Sequence, residues 1–275
     1  MQIAKIAYKI IYIIHMLVGR TDTVEVTRNN IRWELDIREG IDLSIYLLGI
    51  FERHTVNAYR KFIKPGYVVL DIGANIGAHT LIMADIVGSN GNVIAFEPTD
   101  YAYNKLIKNI DLNLRLKKNI NPQQVMLSSN DESLVDELIY SSWPVDSNGI
   151  HNIHPVHMGE YKSTSNAKSC TLDSILKNLN INKVDFIKID VDGYEYDILC
   201  GAEHTLSLLK PVLCFEFAPY VIKERGQTIE MLLNKIDSYG YKLFKENGYE
   251  ELPSDAKILN KMVGEESSIN IIAVA

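Results

Sequence analysis

Apolar residues recur along this chain at two different periods, and the changes of period divide it into elements. Near the N-terminus Ile3, Ile6, Ala7, Ile10, Ile14, Leu17 and Val18 return at intervals of three and four with Lys5 and Lys9 nearby, the pattern of an amphipathic helix. Its unbroken apolar run, Ile10 to Ile14, stops at His15, well short of the roughly 18 residues a membrane span needs, and no small-residue cleavage pattern follows. Such a helix can pack on the body of the protein, on a second copy, or on a membrane surface. "TVEVTRNNIRWELDI" reads as two short strands around Arg28-Asn29-Asn30, and "DLSIYLLGIFERHTVNAYRKFI" as helical with a break near Gly49.

After Pro65-Gly66, short apolar runs alternate with helix-period stretches. The expected strands are "YVVLDI", "NVIAFE", "QQVMLSS", "VDFIKID", "PVLCFEF", "YKLFKE" and "INIIAVA"; the helices between them include "AHTLIMADIV", "AYNKLIKNIDLN", "YEYDILCGAEHTLSLL" and "TIEMLLNKIDSY". Runs of Val, Ile, Leu and Phe without polar alternation belong to strands covered on both faces. The expectation is an α/β fold, a Rossmann-like sheet of seven strands flanked by helices. It divides the chain at 1–62, a helix, hairpin and helical lead-in, and 63–275, the sheet domain. Between Ser141 and Asn166 the pattern lapses into a stretch too long for a plain connection, which reads as a functional loop or lid.

Composition narrows the partners. Acidic residues outnumber basic ones 35 to 28, for a formal charge of −7, so no general field attracts a phosphate backbone and nucleic acid is not expected as a partner. Cys170, Cys200 and Cys214 form no CxxC pair and read as free thiols of a reducing, cytoplasmic compartment.

The candidate chemistry gathers at predicted strand ends. "VVLDIGANIGAHT" puts Asp71 at the end of one strand, then Gly73 and Gly77 in the turn to a helix; glycines let a ligand approach the backbone N–H groups there. Glu97, at the tip of the next strand, stands where a carboxylate can hold ribose hydroxyls. The turn departs from G-x-G-x-x-G, because Asn75 replaces the middle glycine, and Asp71 would repel a pyrophosphate but attract the ammonium of a methionine moiety. The residues therefore favour S-adenosylmethionine over NAD. In "FIKIDVDGYEYDIL" Asp190 closes an apolar strand, where burial without a partner would cost several kcal/mol. Glu216 raises the same question inside "PVLCFEFAP", whereas Asp192 and Glu195 are explained by capping the following helix.

These segments, "PGYVVLDIGANIGAHT", "VIAFEP", "TLDSI" and "KIDVDGYEYDILCGA", together with the upstream "GIFERHTVNAYRKFIKPG", resemble the FkbM-type methyltransferases, from about Gly49 to about Glu216. The resemblance implies a seven-stranded methyltransferase sheet in which Asp71, Gly73, Ala74, Asn75 and Gly77 line the methionine part of S-adenosylmethionine and Glu97 takes the ribose. It places Glu52 near the methionine end and Ser129-Asn130 near the adenine, and it implies methylation of a sugar hydroxyl in a glycan or glycolipid. Asp190 would face the transferred methyl group. A general base for a hydroxyl acceptor could be Asp190, Glu216 or a histidine of "HNIHPVHMG", of which His154 is central among His151, His154 and His157. A divalent ion such as Mg²⁺ on Asp190 and Glu216 is the alternative. Pro155 and Gly149 argue against a helical histidine cluster. Two further readings stay open: N-methylation by the same cleft, and an NAD-dependent sugar oxidoreductase, for which Tyr101 and Lys105 are a poor Tyr-x-x-x-Lys pair.

Overall fold

A computed structural model describes residues 2–17, 21–145, 152–246 and 250–275; His151 and Gly149, Val18, and the side chains of Ile3, Ala7 and Ile14 lie outside what it describes. Its centre is a seven-stranded sheet: β1 (Val68–Ile72), β2 (Asn92–Phe96), β3 (Ile120–Gln123), β4 (Phe186–Ile189), β5 (Val212–Phe217), β6 (Lys242–Lys245) and β7 (Ile269–Val274). The spatial order is β6-β7-β5-β4-β1-β2-β3, parallel from β5 through β3, with β7 antiparallel to both β5 and β6.

Period-two alternation sends each strand into two cores at once. Leu70, Ile72, Ile187, Ile189, Leu213 and Phe215 face one, while Val69, Val93, Ala95, Phe186 and Cys214 face the other. Asp71, Lys188 and Glu216 continue the second row, two residues beyond Val69, Phe186 and Cys214. The register pairs Lys188 with Asp71 on one side and with Cys214 on the other, so the parallel sheet itself carries an acid, a lysine and an acid to one edge.

The N-terminal segment closes that second face. Thr23–Arg28 and Ile31–Asp36 form the expected antiparallel hairpin, with Asn29 and Asn30 at φ 51° and 61°, the left-handed pair a tight two-residue turn needs. Helix Gly40–Leu48 ends at Gly49 (φ 76°), a left-handed cap, and helix Arg53–Phe62 follows. Ile31, Trp33, Leu35, Val56 and Tyr59 share one core with strands β1 and β2. Helix Gln2–Leu17 sets Tyr8 and Ile11 against a small cluster of Ile37, Leu43 and Val145, but leaves Ile6, Ile10, Ile13 and Leu17 exposed. Among the described residues no helix is long and apolar enough to cross a membrane.

One strand differs from expectation. "QQVMLSS" does not form the third strand of the sheet; Ile120–Gln123 does, and Val125–Leu127 turns away to pair with Lys168–Cys170. Pro122 within β3 is tolerated because β3 is the outermost strand, where a missing N–H leaves no neighbour unpaired.

Candidate active site

Carboxyl ends of β1, β2 and β4 converge on a turn built around Gly73. A Cβ there would stand 1.8 Å from the Asp190 carbonyl oxygen, and its φ is +80°, so only glycine lets β1 and β4 leave the sheet side by side. Asn75 (φ 48°) donates its backbone N–H to Glu97 Oε2 at 2.9 Å. Glu97 Oε1 accepts from the N–H and hydroxyl of Thr99 at 2.9 and 2.5 Å, and Thr99 caps helix Asp100–Asp111. Burial pushes the Glu97 carboxyl up, and these hydrogen bonds oppose the shift. Glu97 thus stands at the wall of a slot whose other sides are Gly73, Phe96, Leu127, Ile139 and Val191.

The slot shares Gly73, Asn75, Asp190 and Asp192 with a second cavity of about 180 Å³, whose lining adds Glu52, Lys188 and Glu216. Lys188 is 2% exposed; its Nζ lies 3.1 Å from Asp190 Oδ2 and 3.7 Å from Asp71 Oδ1. Burial alone would lower its pKa, but Asp190 and Asp71 outweigh it and hold the ammonium above the ordinary lysine range. Asp71 does not itself reach the cavity wall: its Oδ2 accepts from the Thr80 hydroxyl at 2.6 Å, anchoring the helix after the turn. Glu52 sits at φ 43° opposite His79, with Oε2 3.4 Å from Nε2. Burial raises the Glu52 carboxyl, yet His79 and Lys188 together hold it below the usual range.

The remaining acids are held towards their neutral forms. Burial, then Asp190, Glu195 and Glu97, push Asp192 up to about 8. Glu216 is raised well above a normal glutamate by burial and by Asp190 and Asp192. Glu195 is pushed up to about 7, chiefly by burial, while backbone N–H groups including that of Val191 pull it down. The capping account therefore suits Glu195 and not Asp192, which has φ 49° and lines the cavities. Glu52 Oε2 and Asp71 Oδ1 are buried without a hydrogen-bond partner. An acid-rich cavity with an orphaned Glu52 carboxylate oxygen on its lining and one tied lysine is a fit for a ligand carrying an ammonium and a sulfonium. Among the described residues no three His, Cys, Asp or Glu side chains are arranged to hold a metal ion, and the cation between Asp71 and Asp190 is Lys188.

Several candidates read from the sequence fall elsewhere. Ser129 and Asn130 are exposed, because the pairing of Val125–Leu127 with Lys168–Cys170 turns the chain outward just after Leu127; Val125, Met126 and Leu127 line the slot instead. Gly77 is absent from both linings; its place under Leu106 shapes the turn, since a Cβ would stand 2.8 Å from Leu106 Cδ1. Ala74, Glu52, Asp190 and Glu216 do line the second cavity. His154 is buried away from it, with Nε2 2.9 Å from Glu224 Oε2 and Nδ1 accepting from the N–H groups of Val156 and His157. His157, stacked on His154 at 3.7 Å between centroids, is the histidine of this segment that reaches the cavity, whose lining also includes His79 beside Glu52. Its Nδ1 accepts from Gly159 N–H at 3.1 Å, and burial next to His154 lowers its pKa to about 4. Both rings therefore carry their proton on Nε2, which makes them donors and not bases. Lys105 pairs with Asp42 and the Tyr101 hydroxyl points at Glu39, so neither belongs to the cavities. Sequence reasoning passed over Lys188, gave Asp192 to helix capping and preferred His154 to His157; for Lys188 the available signal was a lysine inside the apolar run "DFIKI".

This strand order, with acids at the carboxyl ends of β1, β2 and β4, two of which, Glu97 and Asp190, line the cavities, defines an α/β enzyme of the seven-stranded methyltransferase class. Residues 71–243, more than half of the chain, match the family model described as the methyltransferase FkbM domain, and the chain belongs to that family. It is 27% identical over 146 residues to a hexuronic acid methyltransferase, AglP, of Haloferax volcanii, a match covering 53% of this chain and 54% of that relative. The chain thus spans about half the length of the curated relative it matches. Among solved structures it is similar to an S-adenosylmethionine-dependent O-methyltransferase of Thermotoga maritima (13% identity, TM-score 0.44, 94% of this chain and 80% of that one). It is also similar to a putative rRNA methylase of Clostridium thermocellum (13% identity, TM-score 0.45, 80% and 95%).

Proposed function

We propose that the protein is an S-adenosylmethionine-dependent O-methyltransferase acting on a sugar hydroxyl of a glycan or glycolipid. The observation that carries this reading is the pair of joined cavities, an apolar slot walled by Glu97 and an acid-rich chamber, meeting at Gly73, Asn75, Asp190 and Asp192. S-adenosylmethionine supplies an electrophilic methyl group on a sulfonium. Glu97 would accept the ribose hydroxyls on oxygens that the Thr99 and Asn75 bonds already orient. Gly73, Ala74 and Asn75 would border the methionine part, with Glu52 as the carboxylate facing its ammonium and Asp71 acting from beneath through Thr80 and Lys188.

Asp190 is assigned as the general base. Its carboxylate is half-buried, lines both cavities, and has Oδ2 3.1 Å from the Lys188 ammonium; it would take the acceptor's hydroxyl proton onto an Oδ atom as the oxygen attacks. Glu216 and Asp192, held towards their protonated forms, would accept and donate hydrogen bonds at the same place. The His157 Nε2–H would orient the acceptor, and His154 would hold His157. A sugar as acceptor is supported by the name of the Haloferax relative. The exposed row Ile6, Ile10, Ile13 and Leu17 suits a membrane surface bearing a glycolipid, or a second copy of the chain.

The test is calorimetric titration of the purified protein with S-adenosylmethionine, with NAD in parallel and EDTA in one repeat. Stoichiometric heat from S-adenosylmethionine alone, unchanged by EDTA, is the expected result; heat from NAD alone overturns the reading.

A further inference from the structure

A third cavity, about 460 Å³, adjoins the first two, sharing Ile139, Tyr140, Asp192 and Tyr194 with the slot and Asp192 and His157 with the acid chamber. One wall is the hairpin of Leu138–Ser141 and Glu160–Ser163; the other is helix Pro219–Glu224 with Arg225 behind it. The hairpin wall is aromatic: Tyr140 and Tyr161 stack at 4.1 Å between centroids and 17° between planes, and Tyr161 is 40% exposed. Around it stand the acids Asp136, Glu137 and Glu224, with Asp192, held towards its neutral form, at the junction with the other cavities, against a single guanidinium, Arg225. Arg225 is already engaged, lying 3.5 Å over the Tyr194 ring and 3.1 Å from Asp136 Oδ2, to which the Tyr194 hydroxyl also donates at 2.6 Å. Among the described residues lining the three cavities, the other lysine or arginine is Lys188, held by Asp71 and Asp190.

Resting on the methyltransferase reading, we propose that this groove is the acceptor subsite and that it takes a neutral saccharide unit, a hexose or N-acetylhexosamine, and not a uronic acid. Flat aromatic faces suit the C–H side of a pyranose, and carboxylates accept from its hydroxyls. A sugar carboxylate would enter a field of its own sign with no free cation to meet it, a juxtaposition that selects against the wrong partner. The saccharide would present its hydroxyl to Asp190 past Asp192 and His157, where groove and chamber join. This separates the chain from its Haloferax relative, whose name specifies a hexuronic acid.

The experiment is calorimetry and saturation-transfer NMR on the full chain saturated with S-adenosylhomocysteine, using methyl glucoside, the methyl glycoside of N-acetylglucosamine, and methyl glucuronide as probes. A neutral glycoside should bind at least ~10-fold tighter than the glucuronide. Tyr161→Ala should weaken the neutral glycoside by ~10-fold or more while leaving the affinity for S-adenosylhomocysteine and the melting temperature near the parent. Glu137→Lys, at an exposed position of the rim, should narrow the preference by ~3-fold or more through charge alone. A glucuronide that binds as tightly as the neutral glycosides, or an unaltered response in Tyr161→Ala, overturns the assignment. Failure of S-adenosylhomocysteine itself to bind overturns the methyltransferase reading, and the groove's role as its acceptor subsite with it.

Discussion

Asp190 and His154 were both candidates for the catalytic base, and they belong to regions built in different ways. Asp190 follows a parallel strand whose register with β1 and β5 decides what stands beside it, and its N–H bonds to Ile72 O at 3.0 Å. His154 lies in the segment folded over the cavities, where the geometry comes from a turn at Pro155, a bridge between Ile153 and Glu160, and a hydrogen bond reaching across to Glu224. A strand end delivers a side chain to a place that hydrogen-bond register dictates. A long connection delivers it to a place decided by whichever contacts it finds, which is how the outer histidine of the stack, and not the central one, came to face the chamber.

That contrast can be broken most severely at Lys188. Replacing it by Met should destabilise the protein by about 3–5 kcal/mol, because Asp71 is then left buried without its cation; urea denaturation measures this, and a loss under 1 kcal/mol would mean the sheet edge does not depend on the triad. Glu97→Ala comes next. It should weaken S-adenosylmethionine binding at least ~10-fold by calorimetry, and it should also cost about 2 kcal/mol of stability, since the Asn75 and Thr99 N–H groups lose their acceptor. His154→Ala tests the other region: a stability loss of about 1–2 kcal/mol and a lower turnover are expected, with the limb on which the rate rises with pH retained, as the proposed assignment of the base to Asp190 requires. Loss of that limb would return the role to the histidines.

The smallest effect is a matter of protons. Asp192 holds its proton more tightly in the folded chain than in the unfolded one, so its contribution favours folding at low pH and is lost as pH rises from about 4 through about 8. Asp192→Asn should flatten that part of the stability curve and stabilise the protein at pH 8. A cationic ligand favours the ionised form, so S-adenosylmethionine binding near pH 7 should release protons, and the release should shrink in Asp192→Asn; calorimetry in buffers of different ionisation enthalpy reads both.

Much of the sheet edge was legible beforehand because a strand in a doubly wound sheet announces itself by an apolar run, and a charge closing that run has few structural excuses. This rule singles out Asp71, Glu97, Asp190 and Glu216, and the turn between strand and helix singles out Gly73; all five stand at the carboxyl edge of the sheet. The same rule could have flagged Lys188, inside the run and not at its end. Ser129 and Asn130 were misplaced because the apolar residues Val125–Leu127 suit a strand in either of two sheets, and composition does not say which neighbour takes it. Glu195 and Asp192 look alike in sequence, yet one turns back to the N–H of Val191 and the other lines the cavities, a difference made at a turn where Asp192 and Gly193 have φ of 49° and 100°.

By itself the sequence determined six of the seven sheet strands, the N-terminal hairpin, and the acids and glycine at the carboxyl ends of the strands, because these follow from periodicity and from chemistry local to a few residues. Only the tertiary structure decided which charges neutralise one another, which histidine reaches the chamber, and that Tyr140, Tyr161, Glu224 and Arg225 wall one groove. Those outcomes depend on contacts between segments dozens of residues apart, whose energies come from packing and burial that no local pattern records.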